Sequence, residues 1–147
     1  MFTAYHPRAA SAYQQVHVAT SVKANDKHQI VTLLYDGLIE TLGIARSALA
    51  RGDIPTKCAA LTKALRLMQE GLMTGLDLEE GGDLANNLYR LYDYCSYRLM
   101  LANARNDDAI ILEVQQLIEP LAMAWKEVKP VPQGEPPKRA QAAYAAA

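Results

Sequence analysis

Apolar residues recur three and four positions apart in four successive stretches of the chain, the spacing that keeps them on one side of an α-helix. In the first stretch Ile30, Leu33, Leu34, Leu38, Leu42, Ala45 and Leu49 follow Asn25 and Asp26, whose side chains suit a helix N-cap, and Gly52 ends the run. Val31, Tyr35 and Ile39 widen this apolar surface beyond a simple stripe, which leaves one side for a ligand. In the second, Asp53 is placed as a cap, Pro55 falls in the first turn, and Ile54, Cys58, Leu61, Leu65, Met68, Leu72 and Leu76 form the line. Residues 77–82 then read as a turn, with Gly81 and Gly82 supplying backbone freedom. The third stretch, 83–103, carries Leu84, Leu88, Leu91, Cys95, Leu99 and Ala102. Asn106, Asp107 and Asp108 offer caps for a fourth helix almost without a loop, and its line is Ile110, Val114, Leu117, Leu121, Trp125 and Val128. Pro120 should kink that helix near Gln116 rather than end it, because the apolar line continues beyond.

Four amphipathic helices with short links and no competing strand pattern predict an all-α fold, an antiparallel up-and-down four-helix bundle over residues 25–128. Residues 1–24 are polar with scattered aromatics and predict a mobile N-terminal segment. From Lys129 the composition turns to proline and then alanine, too poor in apolar surface to order itself, so 129–147 is expected to be a flexible, disordered tail.

The third helix is unusual. It holds Tyr89, Tyr92, Tyr94 and Tyr97, half of the chain's 8 tyrosines. They span most of the helix circumference, so at least one or two must be exposed or line a groove. Tyrosine combines a large, stiff apolar ring with a hydroxyl and favours surfaces that bind something. Leu88, Leu91 and Leu99 read more readily as bundle core than as ligand contacts. Asn87 and Asn103 either cap or bridge helices or hydrogen-bond a bound peptide backbone, and Arg90, Asp93 and Arg98 suit a solvated face.

Charge and composition remove several classes of function. With 15 basic and 16 acidic residues the net charge is -1, so there is no surplus to attract a phosphate backbone, and nucleic acid is excluded as a ligand. Apolar runs such as 109–112 are far shorter than the roughly 20 residues that cross a bilayer, and the start of the chain lacks the apolar stretch of a signal peptide, so no membrane insertion and a cytoplasmic location are expected. Cys58 and Cys95 lie on apolar stripes and read as buried free thiols. His6, His17 and His28 all fall in the first fifth of the chain, no glutamate has a histidine three residues on, and Gly81–Gly82 is not followed by the lysine of a phosphate loop. Metal, cofactor and catalysis are therefore not expected.

The run Gly81-Gly82-Asp83-Leu84-Ala85-Asn86-Asn87-Leu88, then Leu91-Tyr92-Asp93-Tyr94, Arg98-Leu99 and Ala102-Asn103, resembles the flagellar secretion chaperone family known as FliS. Leu34-Tyr35-Asp36-Gly37, Tyr13-x-x-Val16-x-Val18 and Ala124-Trp125-Lys126 resemble further motifs of that family, in order, from about Ala12 to Val128. The resemblance implies a non-enzymatic cytoplasmic export chaperone that binds the C-terminal helical segment of flagellin. It would prevent premature polymerisation and deliver the subunit to the flagellar type III export apparatus.

The implied binding surface is a groove between helix one, the tyrosine-rich helix and the N-terminal segment. Its candidate residues are Tyr13, Val16 and Val18, then Val31, Leu34, Tyr35 and Leu38, then Asn87, Leu88, Leu91, Tyr92, Tyr94 and Asn103. The competing reading is a structural or regulatory bundle that self-associates through its tyrosine-rich face, as a homodimer. The N-terminal segment is either an unstructured leader or a cover for the groove, and because an uncovered apolar groove invites aggregation, Tyr13, Val16 and Val18 are expected to fold onto it while flagellin is absent. Removal of residues 1–18 should then tighten or speed flagellin binding and raise self-association, read by titration calorimetry and light scattering; no change in either would refute the cover.

Overall fold

The computed structural model describes residues 24–128. Two compact units are present, and Val31–Glu127 forms one of them. Its helices are α1 (Ala24–Ala50, whose first turns precede the unit), α2 (Ile54–Arg66, continued by a π-helical stretch Leu67–Met73), α3 (Gly82–Arg105) and α4 (Asp108–Glu127). No strand occurs among the described residues. Of the predicted N-terminal segment 1–24 only Ala24 is described, as the first residue of α1; residues 1–23, Tyr13, Val16 and Val18 included, and the predicted tail 129–147 lie outside the described part.

Pairwise contacts give the up-and-down order. Arg46 pairs with Asp108 and Asp36 with Lys126, so α1 and α4 run antiparallel. Gly37 lies beside Leu67 and Leu34 beside Gly71, which sets α1 antiparallel to the second helix. Lys57 reaches Asn103 from α2 to α3, and Tyr94 and Arg98 reach Glu113 from α3 to α4. Between diagonal helices the hydroxyls of Tyr35 and Tyr92 meet inside the bundle. The core is built by Leu38, Leu42 and Ala45 of α1, Leu61, Ala64, Met68 and Leu72 of the second helix, Cys95, Leu99 and Ala102 of α3, and Ile111, Val114, Ile118 and Ala122 of α4.

The links follow from local chemistry. After α1, Gly52 adopts φ 75° and the Asp53 N–H returns to the Ala48 carbonyl at 2.8 Å, a C-terminal cap that an L side chain at Gly52 would strain. Asp53 then accepts from the Thr56 N–H at 3.2 Å as the N-cap of α2, with Pro55 in the first turn as expected. Asn106 closes α3 in the left-handed region (φ 52°, ψ 47°), and Asp107 accepts from the Ala109 N–H at 3.0 Å to open α4. Pro120 lies inside α4, and the helix continues past it to Glu127.

Three details differ from the sequence reading. The second helix does not stay α-helical; its last turns widen to a π form over Leu67–Met73, in which Met68 and Leu72 remain buried. On α3 the inward line is Ala85, Tyr92, Cys95, Ser96, Leu99 and Ala102, and Leu84, expected in the core, is 69% exposed. On α4 the line passes through Ile111 and Ile118, whereas Leu117, Leu121 and Trp125 are only half-buried and Val128 is exposed. The shift by one residue is confined to the first half of α3 (Leu84 to Ala85, Leu91 to Tyr92) and the second half of α4 (Leu117 to Ile118, Leu121 to Ala122), where a small residue such as Ala85 or Ala122 lets the backbones approach and a larger neighbour lies at the rim.

At the 77–82 turn Gly82 has φ 60°, but Gly81 serves differently: a Cβ there would fall 2.4 Å from the Asp77 carbonyl oxygen and 2.5 Å from the Ala85 Cβ. Gly81→Ala should cost about 1–3 kcal/mol of stability by forcing the turn open. Gly43→Ala, an exposed helical position with nothing within 4 Å of the new Cβ, should instead be neutral or stabilising by up to about 1 kcal/mol. Denaturant unfolding of the two variants checks the contrast.

Candidate partner-binding site

The Leu34-Tyr35-Asp36-Gly37 run shows how adjacent residues of one helix are divided among three neighbours. Leu34 sits half-buried on Gly71 of the π stretch, the face of that glycine leaving room for its methyl groups. Tyr35 turns inward to Tyr92. Asp36 stays at the surface and holds the Lys126 ammonium at 2.8 Å. Burial is the chief reason both tyrosine hydroxyls titrate above the usual phenol range, since ionising either would place a charge in the bundle interior.

Tyr92 is 2% exposed and Leu38 0%, and Tyr35 is likewise buried, so three of the expected partner-binding residues are core residues in this structure. In the partner-free chain these three do not line an open surface. The physical reason is pairing: Tyr92 can enter the core because Tyr35 satisfies its hydroxyl there. Asn103 is also engaged, by the Nζ of Lys57, which donates to its backbone carbonyl at 2.9 Å and to its Oδ1 at 2.7 Å. Asn103 thus bridges α2 and α3 in the partner-free chain. Lys57 itself is buried, and its ammonium lies against the carboxyl-terminal turn of α3, where carbonyl dipoles favour a positive charge.

The remaining candidates stay accessible in part. Val31, Leu34, Leu88 and Leu91 are half-buried against the core, and Asn87 and Tyr94 are exposed. Asn87, Leu91, Tyr94 and Arg98 follow one another four, three and four positions apart, so they form one stripe of α3, on the side that meets Glu113 of α4. Leu34 lies on the other flank, against the second helix. The structure thus brings Tyr35 and Tyr92 together, groups Asn87, Leu91 and Tyr94 on the α3–α4 seam, and separates both from Leu34.

On that seam Tyr94 donates its hydroxyl to Glu113 Oε2 at 2.5 Å and Arg98 Nε donates to Glu113 Oε1 at 2.8 Å. The two hydrogen bonds, from Tyr94 and then Arg98, hold the Glu113 carboxyl below its usual range, and the Tyr94 phenol is raised by the same bond. Cys95 is buried beside them, and desolvation, helped by Glu113, pushes its thiol up to about 11, so it is an inert core residue. Cys58, expected to be buried, is half-buried and borders an open surface depression with Ala59, Thr62, Lys63 and Arg66; both cysteines are free thiols. Two contributors escaped the sequence reading. Lys57 was signalled only by the small residues Ala60 and Ala64 on its line, and Glu113 only by being an isolated acid within the apolar run 110–114.

Among the described residues no group of three or more His, Cys, Asp or Glu is placed to hold a metal ion, and no helix is long and apolar enough to cross a membrane. Fold and site together define a four-helix bundle that turns an ordered aromatic face outward from its third helix. The family described as Flagellar protein FliS matches residues 9–132, and the chain belongs to that family. It is 43% identical over 126 residues to the Flagellar secretion chaperone FliS of Salmonella typhimurium, covering 86% of this chain and 93% of that one. It is also 39% identical to the Flagellar secretion chaperone FliSB of Pseudomonas aeruginosa (82% and 95% covered) and 30% identical to the Flagellar secretion chaperone FliS of Bacillus subtilis (80% and 83%).

The ion pairs give a pH dependence. The Arg46 guanidinium, bonded to Asp108 at 2.8 and 3.0 Å, holds that carboxyl below its ordinary range, as Tyr94 and Arg98 do for Glu113. A carboxylate with a lowered folded pKa stabilises above its unfolded pKa, near 4, and the contribution is lost as pH falls through the folded value. The thermal midpoint should therefore be flat from pH 7 to about 5 and fall below about 4, and the D108N/E113Q double variant should lose less over that lower range than the wild type; equal acid slopes would refute the assignment.

Proposed function

We propose that this protein is a cytoplasmic export chaperone that binds the C-terminal helical segment of flagellin, keeps it from polymerising early and hands it to the flagellar type III export apparatus. The observation that carries the reading is the family match over residues 9–132, which includes all four described helices, together with relatives named as flagellar secretion chaperones. The bundle suits the role physically. An amphipathic helix can lay its apolar stripe along a seam between two packed helices, and occupying that stripe removes the surface through which subunits would pair. Ordering a flexible segment costs entropy, so a long seam with many modest contacts is favoured over one deep pocket. Within the described residues the surface for this contact is made by Asn87, Leu88, Leu91 and Tyr94 on α3, with Val31 and Leu34 on α1 offering a second strip. No covalent chemistry is required, and competition at the export gate is sufficient for release.

Mixing the protein with a flagellin C-terminal peptide should yield a one-to-one complex whose helical circular-dichroism signal exceeds the sum of the parts. Leu91→Ala should weaken that complex by about fivefold or more, as expected for a contact of at least about 1 kcal/mol near the middle of an interface. Absence of any complex, with concentration-dependent self-assembly instead, would support the homodimer reading through Tyr97 and its exposed neighbours.

A further inference from the structure

Tyr94 is 44% exposed, yet its hydroxyl is committed to a carboxylate on another helix rather than left to water. The carboxylate is itself fixed, because Arg98 takes its second oxygen. A free surface tyrosine samples several orientations, and binding must select one of them; a tyrosine tethered at its far end has already lost that freedom. We propose that Glu113 is a positioning residue for partner binding, holding the Tyr94 ring in one orientation on the α3–α4 seam so that it meets the bound segment already ordered. The inference rests on the chaperone reading above and deepens it by naming what the seam recognises. Glu113 and Arg98 neutralise each other, and the Tyr94 hydroxyl proton is used, so the seam offers the ring face. The ring itself is flanked by half-buried Leu91, one turn before it, exposed Leu84 lying about 15 Å away along α3. That surface fits a stripe of aliphatic side chains on an amphipathic helix, not an acidic group. Because Glu113 belongs to α4, the ring is referenced to two helices at once and cannot drift with α3 alone.

The test is a mutant cycle on the full chain with a flagellin C-terminal peptide, reading Kd by calorimetry and the thermal midpoint of the free protein. Tyr94→Phe keeps the ring and removes the tether; Glu113→Ala removes the anchor. Each should weaken binding by about two- to tenfold, the effect of releasing one side chain, and the double variant should be no weaker than Glu113→Ala alone. Arg98→Ala breaks the same ion pair without freeing the tyrosine, so it should shift the thermal midpoint as Glu113→Ala does while weakening binding less. Additive losses, a Tyr94→Phe variant that binds like the wild type, or an Arg98→Ala loss equal to that of Glu113→Ala would overturn the proposal and leave a plain helix staple. If the wild type binds no peptide, the chaperone reading falls and this one with it; if it binds and the cycle is additive, only this one falls.

Discussion

Two hydroxyls in the interior set the arrangement of the bundle. Tyr35 and Tyr92 lie on diagonal helices, both are buried, and each supplies the other's hydrogen bond. A buried hydroxyl left without a partner costs about 1–3 kcal/mol, so neither ring can turn away alone. The pair fixes the rotation of α1 and α3 about their own axes. With Tyr92 inward, a helix advancing 100° per residue carries Tyr94 about 200° and Tyr97 about 140° away, to the outside. The outward tyrosine face is thus a consequence of the inward pair, and the seam that Tyr94 shares with Glu113 follows from it.

The short motifs that mark the family have structural work in this molecule. Tyr35 meets Tyr92, Asp36 meets Lys126, Tyr94 and Arg98 meet Glu113, and Asn103 meets Lys57. Each contact joins two different helices. Residues separated by long stretches of sequence, such as the Leu34-Tyr35-Asp36-Gly37 and Ala124-Trp125-Lys126 runs, are therefore linked by geometry. A motif of this kind specifies how helices are held, and the partner surface proposed above uses residues interleaved with it, Asn87 and Leu91 among them.

Much of this was legible in the chain. Spacing, Asp53 and the cap residues after α3 marked the helices and their short links, because those features depend on neighbours within one turn. What the spacing did not resolve was rotation. Both Leu84–Leu88–Leu91 and Ala85–Leu88–Tyr92 are helical lines, and a ranking by hydrophobicity favours the first; the second is observed because Ala85 permits close approach and Tyr92 has a partner 57 positions away. Lys57 and Glu113 were missed for the same reason, each being defined by an acceptor or donor on another helix. The π stretch over Leu67–Met73 has an ordinary composition and no signature in the apolar pattern.

The two-residue link between α3 and α4 has a consequence for how the chain finds this arrangement. Arg98 and Glu113 are 15 positions apart, whereas Tyr35 and Tyr92 are 57 apart. Closing the longer loop costs about 1 kcal/mol more in chain entropy, by the logarithmic dependence on loop length. The helical hairpin carrying the tyrosine face is accordingly cheaper to close than the diagonal contact that orients it, which needs α1 as well.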